Sequence, residues 1–261
     1  MADQPARLAQ ASILIPAAAH PLEDLAAREL QRYLWLLTDH LPPLRTEWPD
    51  HGPVLAVGRA AVGAAERVGR SLDLSALGEQ GLLLQTLWEG NRPIILIVGG
   101  SPVATQWAAY AFLETLGCGF YLGGDALPAR RPDLPVPQLD RVEQPVFAVR
   151  GTLPWYNFLN SPTVWNLADH RRFADQLAKQ RANFVGFHSY DYEPWAGYPD
   201  ERGRYRAAAP LCTSGSHDHI WGAVPTPTSE YAFGTDRLYA RDLFGADCAL
   251  DYPTPPDGIA Q

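Results

Sequence analysis

The fold is decided at residues 179–195, which read KQRANFVGFHSYDYEPW. A polar helix end at 179–181 leads into a short apolar run at 184–187, FVGF. This run is too short for a buried helix, so it predicts a buried parallel strand. The composition then changes abruptly to histidine, serine, tyrosines and carboxylates. Because ligands of α/β folds bind in the loops that follow the carboxyl ends of parallel strands, this loop is the first candidate site.

The candidate site draws on this loop and on an earlier one. We select six candidate substrate-binding residues, namely Arg150, Trp155, Asn157, His188, Tyr190 and Glu193. Aromatic rings beside a histidine, an amide and carboxylates suit a ligand with both apolar faces and hydroxyls, such as a sugar. A guanidinium can also fork onto hydroxyls or a uronate carboxylate, with a structural ion pair as the alternative role of Arg150. Packing within the loops is the alternative for the others.

Composition excludes several classes of function. The chain has 261 residues, 46% hydrophobic and 19% charged, and we expect one or two domains with a real core. A net charge of −8 argues against a nucleic-acid partner. Three dispersed cysteines make neither a disulfide framework nor a zinc site, so we expect no metal and no cofactor. No stretch approaches about 18 consecutive apolar residues, so we expect no membrane span and a cytoplasmic location.

Residues 1–126 predict a two-layer α/β sandwich, with a mixed sheet and helices on one face. Strands are predicted at 11–16, 54–57, 81–87 and 93–98, the last two as a hairpin turning at Gly90-Asn91. Helices are predicted from Pro21 to about 40, around 62–68, and from Pro102 to about 116 with Ser101 as the N-cap. Gly99-Gly100-Ser101 favours a tight turn into a helix over a phosphate cradle.

A proline-rich linker is predicted next, at 127–145, and marks a domain boundary. A strand at 146–149 ended by Arg150, a helix at 167–180 and the strand at 184–187 then form one βαβ unit with a parallel pair. We interpret 146–261 as an incomplete (β/α)8 barrel, because a whole one needs roughly 250 residues. Two weaker ideas are an acid/base pair of Asp191 with Glu193, and metal binding by His217-Asp218-His219.

Five motifs occur in one order. They are AARELQRYLWLLTDHLP at 26–42, LGEQGLLLQT at 77–86, ILIVGGSPVATQWAAYAFLETLGCGFYLGG at 95–124, the opening stretch at 179–195, and PTSEYAFGTDRLYARDLFG at 227–245. In this order the chain resembles, from about 11 to about 250, the N-terminal half of uronic-acid-cleaving glycoside hydrolases. These are the α-glucuronidase and α-galacturonidase-like enzymes, whose leading domain resembles that of β-hexosaminidases.

The resemblance implies a leading α/β domain on a (β/α)8 barrel that hydrolyses terminal uronosyl bonds of a carbohydrate. Such chemistry needs an acid and a base or nucleophile across the sugar. In relatives these carboxylates come from later barrel strands, so the catalytic residues stay unassigned and we expect no turnover of aryl uronides by this chain alone. The alternative is a non-catalytic carbohydrate-binding or interaction protein that retains part of the sugar site. A weaker third hypothesis is a nucleotide-binding protein using Gly99-Gly100.

Overall fold

The computed structural model describes residues 6–154 and 167–186, together with the backbone of four short strands further along the chain. The chain divides into two compact units. The first comprises Met1–Arg150 and Arg172–Asn183, and the second comprises Gly151–Arg171 and Phe184–Gln261.

A six-stranded mixed sheet forms the centre of the first unit. The unit's described strands are β1 (Ser12–Leu14), β2 (Leu44–Arg45), β3 (Val54–Val57), β4 (Leu82–Glu89), β5 (Arg92–Gly99), β6 (Gly119–Tyr121), β7 (Gly124–Ala126) and β8 (Asp140–Glu143). In the sheet the order is β2-β1-β3-β5-β4-β8. The first four strands in that order run parallel, whereas β4 is antiparallel to both of its neighbours. β6 and β7 form a separate hairpin.

Helices cover the sheet on both faces, not on one face as the sequence predicts. The helices α1 (Pro21–Thr38) and α3 (Pro102–Thr115) share one buried cluster with alternate strand residues such as Leu55 and Ile95. The short helix α2 (Ala60–Glu66) packs on the other face, in a second cluster that contains Ile94 and Leu96. The physical reason is in the strands themselves. VLAV and PIILIV are apolar at every position, so both of their faces need cover.

Glu23, in the first turn of α1, is a buried carboxylate that is only 3% exposed. Its carboxylate accepts hydrogen bonds from the backbone N–H of the N-cap residue His20 and from the backbone N–H of Arg59, each at 3.0 Å. Gly58 lies against it at a φ of 61°, where a Cβ would meet the Glu23 carboxylate at 2.3 Å. Glu23 therefore joins the start of α1 to the turn between β3 and α2.

Three local predictions are confirmed. β4 and β5 form the expected hairpin, with Glu89 opposite Arg92 and Gly90 at a φ of 64° in the turn. Ser101 caps α3 through a 3.2 Å hydrogen bond from the Ala104 N–H, with proline at the first helical position. The long helix beginning at Pro21 is present and ends at Thr38.

Two elements differ from the sequence prediction near the expected linker. Asp140–Glu143 pairs with β4 as the edge strand β8, because β4 otherwise leaves one row of backbone groups open. The strand predicted at 146–149 is wrong, since these residues are not a strand and Val146 is 91% exposed. The strand instead begins at Gly151.

The second unit contains a short parallel pair, β9 (Gly151–Thr152) with β10 (Phe184–Val185). The helix α4 (Leu167–Lys179) lies between them in the chain, so the expected βαβ order is confirmed. Two antiparallel pairs follow, β11 (Gly197–Pro199) with β12 (Tyr205–Ala207) and β13 (Ser216–Asp218) with β14 (Pro225–Pro227). None of the described helices is both long and apolar enough to cross a membrane.

Candidate functional site

The carboxyl ends of β9 and β10 lie side by side. Gly151 is level with Phe184 and Thr152 with Val185, and the Gly186 N–H donates to the Thr152 carbonyl oxygen at 2.8 Å. The pair runs parallel, so the segments that follow both strands leave from the same edge. The candidate residues Trp155, Asn157, His188, Tyr190 and Glu193 belong to those two segments and lie outside the described residues.

Arg150 lies at the other end of this pair. Its sequence context predicts that Arg150 ends a strand, but it immediately precedes β9. Its backbone N–H donates to the Asn183 side-chain oxygen and its carbonyl accepts from the Asn183 N–H, both at 2.8 Å. Asn183 in turn immediately precedes β10. Arg150 is therefore at the amino ends of the strands, and this part of the prediction is wrong because the strand starts later than the apolar run suggests.

The Arg150 guanidinium is held by neutral groups. It donates to the Gln80 side-chain oxygen at 2.6 Å, to the Phe147 carbonyl at 2.8 Å and to the Arg181 carbonyl at 3.2 Å. It also stacks over the ring of Trp107, 4.8 Å from the centroid. Burial, and then the positive charge of Arg181, lower the pKa of Arg150. Arg150 borders a small cleft of about 320 Å³ at this end of the first unit.

Arg181 lines the same cleft and carries two ion pairs. It is paired with Glu114 on α3 and, at 3.0 Å, with Glu143 on β8. It has a φ of 63°, an uncommon conformation for a side chain other than glycine, directly after α4. Its neighbours are far away in sequence, so periodicity gives no signal for this cluster. The geometry gives Arg181 a structural role, in which it ties the end of α4 to the sheet and to α3.

A second polar cluster holds α4 against α1 and the β6–β7 hairpin. Asp125 accepts hydrogen bonds from the Tyr33 hydroxyl at 2.5 Å, from the Gln176 amide at 3.0 Å and from Lys179 Nζ at 3.0 and 2.9 Å. The Lys179 side chain is 8% exposed and that of Asp125 is 19% exposed. The members of this cluster are 51 or more residues apart from Asp125 in sequence, so local periodicity gives no signal for it.

Titration in this cluster follows from its contacts. Burial acts to raise the pKa of Asp125, but the hydrogen bonds from Tyr33, Gln176 and Lys179, with the Lys179 charge, outweigh burial and lower it. Burial, and then Asp125, raise the pKa of Tyr33. The ionised carboxylate is thus the form that the fold selects. These hydrogen bonds join α4 to α1 and to the β6–β7 hairpin.

The glycines before α3 serve packing. A Cβ on Gly100 would meet the Gly78 carbonyl oxygen at 1.7 Å. The Gly99 N–H donates to the Thr105 hydroxyl at 3.1 Å and the Gly100 N–H donates to the Gly81 carbonyl at 3.0 Å. These donors are therefore engaged within the protein, whereas a phosphate cradle needs them free. The contacts support the tight-turn interpretation over the nucleotide hypothesis.

Metal ligation is the remaining chemistry to examine. Within the part of the chain that the structure describes, no three His, Cys, Asp or Glu side chains come together in a way that could hold a metal ion. The side chains of His217 and Asp218 on β13, and His219 after it, lie outside that part.

Comparison with known proteins gives a likeness in fold. No protein-family model matches the chain, and no curated protein matches it. Among solved structures, one that matches is a family GH115 4-O-methyl-α-glucuronidase with specificity for decorated arabinogalactans. The TM-score is 0.51 at 16% sequence identity, over 69% of this chain and 25% of that one. This chain therefore shares a mixed α/β fold with part of a glycoside hydrolase and spans about a quarter of its length.

Proposed function

We propose that this chain supplies the leading α/β domain and the first βαβ unit of a glycoside hydrolase that acts on uronosyl-bearing glycans. The observation that carries the proposal is the parallel pairing of β9 with β10. It puts two adjacent strand ends at one edge, directly before the segments that contain Trp155, Asn157, His188, Tyr190 and Glu193. Ligands of barrel and doubly wound folds bind at that edge.

The likeness to a 4-O-methyl-α-glucuronidase supports the same proposal at the level of fold. The proposed domain organisation is the α/β sandwich over 1–126, the proline-rich segment over 127–145, and the beginning of a (β/α)8 barrel over 146–261. We assign sugar binding, not bond cleavage, to the five loop residues. Arg150 instead holds Asn183 through its backbone, and Gln80 and Arg181 through its guanidinium.

The residues in the two segments have complementary chemistry for a pyranose. Trp155 and Tyr190 offer flat apolar surfaces for the C–H face of the ring. Asn157 and His188 donate hydrogen bonds to hydroxyls, and Glu193 accepts them. Cleavage of the glycosidic bond requires two further carboxylates on opposite sides of the sugar, which remain unassigned.

Calorimetric titration of the full chain tests this proposal. We expect methyl α-D-glucuronoside to bind more tightly than methyl α-D-glucoside, which lacks only the carboxylate. His188→Ala should weaken binding of the glucuronoside by about tenfold, equivalent to about 1.4 kcal/mol. His40→Ala, at an exposed position after α1, is the matched control and should leave the affinity unchanged.

Two outcomes would overturn the proposal. One is the absence of binding by both glycosides, and the other is binding that His188→Ala and Glu193→Gln leave intact. We expect no hydrolysis of an aryl uronide by the same samples, because the two carboxylates that cleave the bond are unassigned in this chain. Turnover would exclude the alternative, a binding protein that retains part of the sugar site, whereas binding without turnover is expected of both.

A further inference from the structure

A second polar cleft lies in the first unit, at the end of the sheet where β3 and β5 begin. It has a volume of about 550 Å³ and is bordered by Trp88, near the end of β4, and by residues 50–53 and 91–93. Trp88 is 45% exposed, which is unusual for the largest aromatic side chain. Its indole N–H points to the Gln138 side-chain oxygen at 3.4 Å. This contact orients the ring and leaves its surface open to the cleft.

The polar side chains around Trp88 are available for hydrogen bonding. Within the described part of the chain, the side chains of Gln10, Asp50, His51 and Asn91 line the cleft and make no hydrogen bond or ion pair. Together they offer amide donors, an imidazole and carboxylate acceptors within reach of one exposed aromatic ring. An open indole bordered by free donors and acceptors matches a pyranose, which has one apolar C–H face and hydroxyls around its rim.

The charges of the cleft select a neutral ligand. Arg92 borders it, but its guanidinium donates to the Gly52 carbonyl at 2.6 Å and to the Pro49 carbonyl at 2.7 Å. Arg92 also faces Glu89 at 3.8 Å, and burial lowers its pKa. Its positive charge is thus turned towards the protein. The carboxylate of Asp50 is exposed and makes no salt bridge with a described residue, but its charge, like that of Glu89, acts to raise the pKa of Arg92. The cleft therefore has no excess positive charge that would favour an anionic sugar.

We infer that this cleft is a second carbohydrate-binding site, for a neutral glycan whose sugar ring stacks on Trp88 while Asp50, His51 and Asn91 contact its hydroxyls. This second site uses other residues than the proposed uronoside site and takes a neutral ligand, not an anionic one.

The experiment is a titration of the ¹⁵N-labelled full chain with xylotetraose, cellotetraose and β-1,3-galactotriose, observing the tryptophan indole N–H signals. The Trp88 signal should shift with at least one of these sugars, with a dissociation constant in the millimolar range. Trp88→Ala should weaken that binding by about tenfold or more. Trp35→Ala is the matched control, because Trp35 on α1 is 44% exposed and does not border the cleft, and it should have no effect.

A second variant tests the selection by charge. Wild-type protein should bind methyl β-D-glucoside better than methyl β-D-glucuronoside at this cleft, as reported by the Trp88 signal. Asp50→Asn should increase the affinity for the glucuronoside by about threefold, which is the effect expected when one like charge is removed in water. The inference is overturned if the Trp88 signal does not move at a sugar concentration about 20-fold above the expected millimolar dissociation constant. It is also overturned if Trp88→Ala binds the sugar as tightly as the wild type does. Failure of the uronoside site leaves these signals unaffected, so the two outcomes can be told apart.

Discussion

Removing the amine of Lys179 is expected to destabilise the first unit by about 2–3 kcal/mol. Breaking a buried ion pair from one side costs about 3–5 kcal/mol, because it leaves a charge without compensation. The cost of Lys179→Met lies below that range for two reasons. Asp125 is 19% exposed, and it keeps hydrogen bonds from Tyr33 and Gln176. Methionine also retains the packing of the lysine stem.

Asp125→Ala should cost more, about 3–4 kcal/mol, because it leaves both the ammonium of Lys179 and the Tyr33 hydroxyl without their acceptor. The double variant should then be less destabilised than the sum of the single variants, by about 1.5 kcal/mol or more. Urea unfolding of the full chain, followed by far-ultraviolet circular dichroism, measures these free energies of unfolding.

The matched control is the surface pair of Arg28 with Asp24 on α1, whose side chains are 63% and 38% exposed. The same cycle made with Arg28→Met and Asp24→Ala should give a coupling of about 0.5 kcal/mol or less. The reasoning is refuted if the coupling between Lys179 and Asp125 is as small as that of the control.

Three further outcomes follow from the same structure. Gly100→Ala should destabilise the chain by about 3 kcal/mol in urea unfolding, since its Cβ would lie 1.7 Å from a backbone carbonyl oxygen. Gly63→Ala should stabilise the chain by about 0.5 kcal/mol, because nothing lies within 4 Å of the added Cβ. The same change in unfolding free energy for both variants would contradict this prediction. Arg150→Met should cost about 2 kcal/mol by the same measurement, because three hydrogen bonds are lost, and a cost near zero would contradict the assigned contacts. Because the pKa of Asp125 is lowered, its ionised form stabilises the fold above the unfolded-state pKa of about 3.9. That stabilisation is lost as pH falls through the lower folded-state pKa. The difference in unfolding free energy between wild type and Asp125→Asn should therefore shrink below about pH 4. A difference that stays constant with pH would contradict this prediction.

The long elements of the first unit could be predicted because their signals are local. The recurrence of leucines after Pro21 gives α1, and the residues Gly90-Asn91 between two apolar runs give the β4–β5 hairpin. Ser101 with the proline after it gives the start of α3. In each case the side chains that decide the structure lie within a few residues of the backbone that they shape.

The remaining features depend on contacts between distant parts of the chain. β2 and β8 have two and four residues, too few to show a period, and they exist because neighbouring strands present open edges. Glu23 is buried because of Gly58, which is far from it in sequence. The apolar run at 146–149 imitates a strand, but the strand begins at Gly151.

In the candidate site, too, the locally encoded features could be predicted and those that depend on distant contacts could not. The parallel pairing of β9 with β10 could be predicted from the apolar run and the helix before it, and the structure confirms that pairing. The site residues in the segments after these strands stay a prediction. The position of Arg150 could not be predicted, because it depends on one strand boundary. That boundary is set by Asn183 and Gln80, whose contacts with Arg150 have no signature in sequence.

The central claim is that the segments after β9 and β10 form one uronoside-binding site. The most direct measurement is a titration with methyl α-D-glucuronoside while nuclear magnetic resonance observes the Trp155 indole and the His188 imidazole together. We predict that both signals shift with a single dissociation constant, which the Trp88 indole does not share. Shifts of Trp155 and His188 with different dissociation constants, or no shift in either, would contradict it.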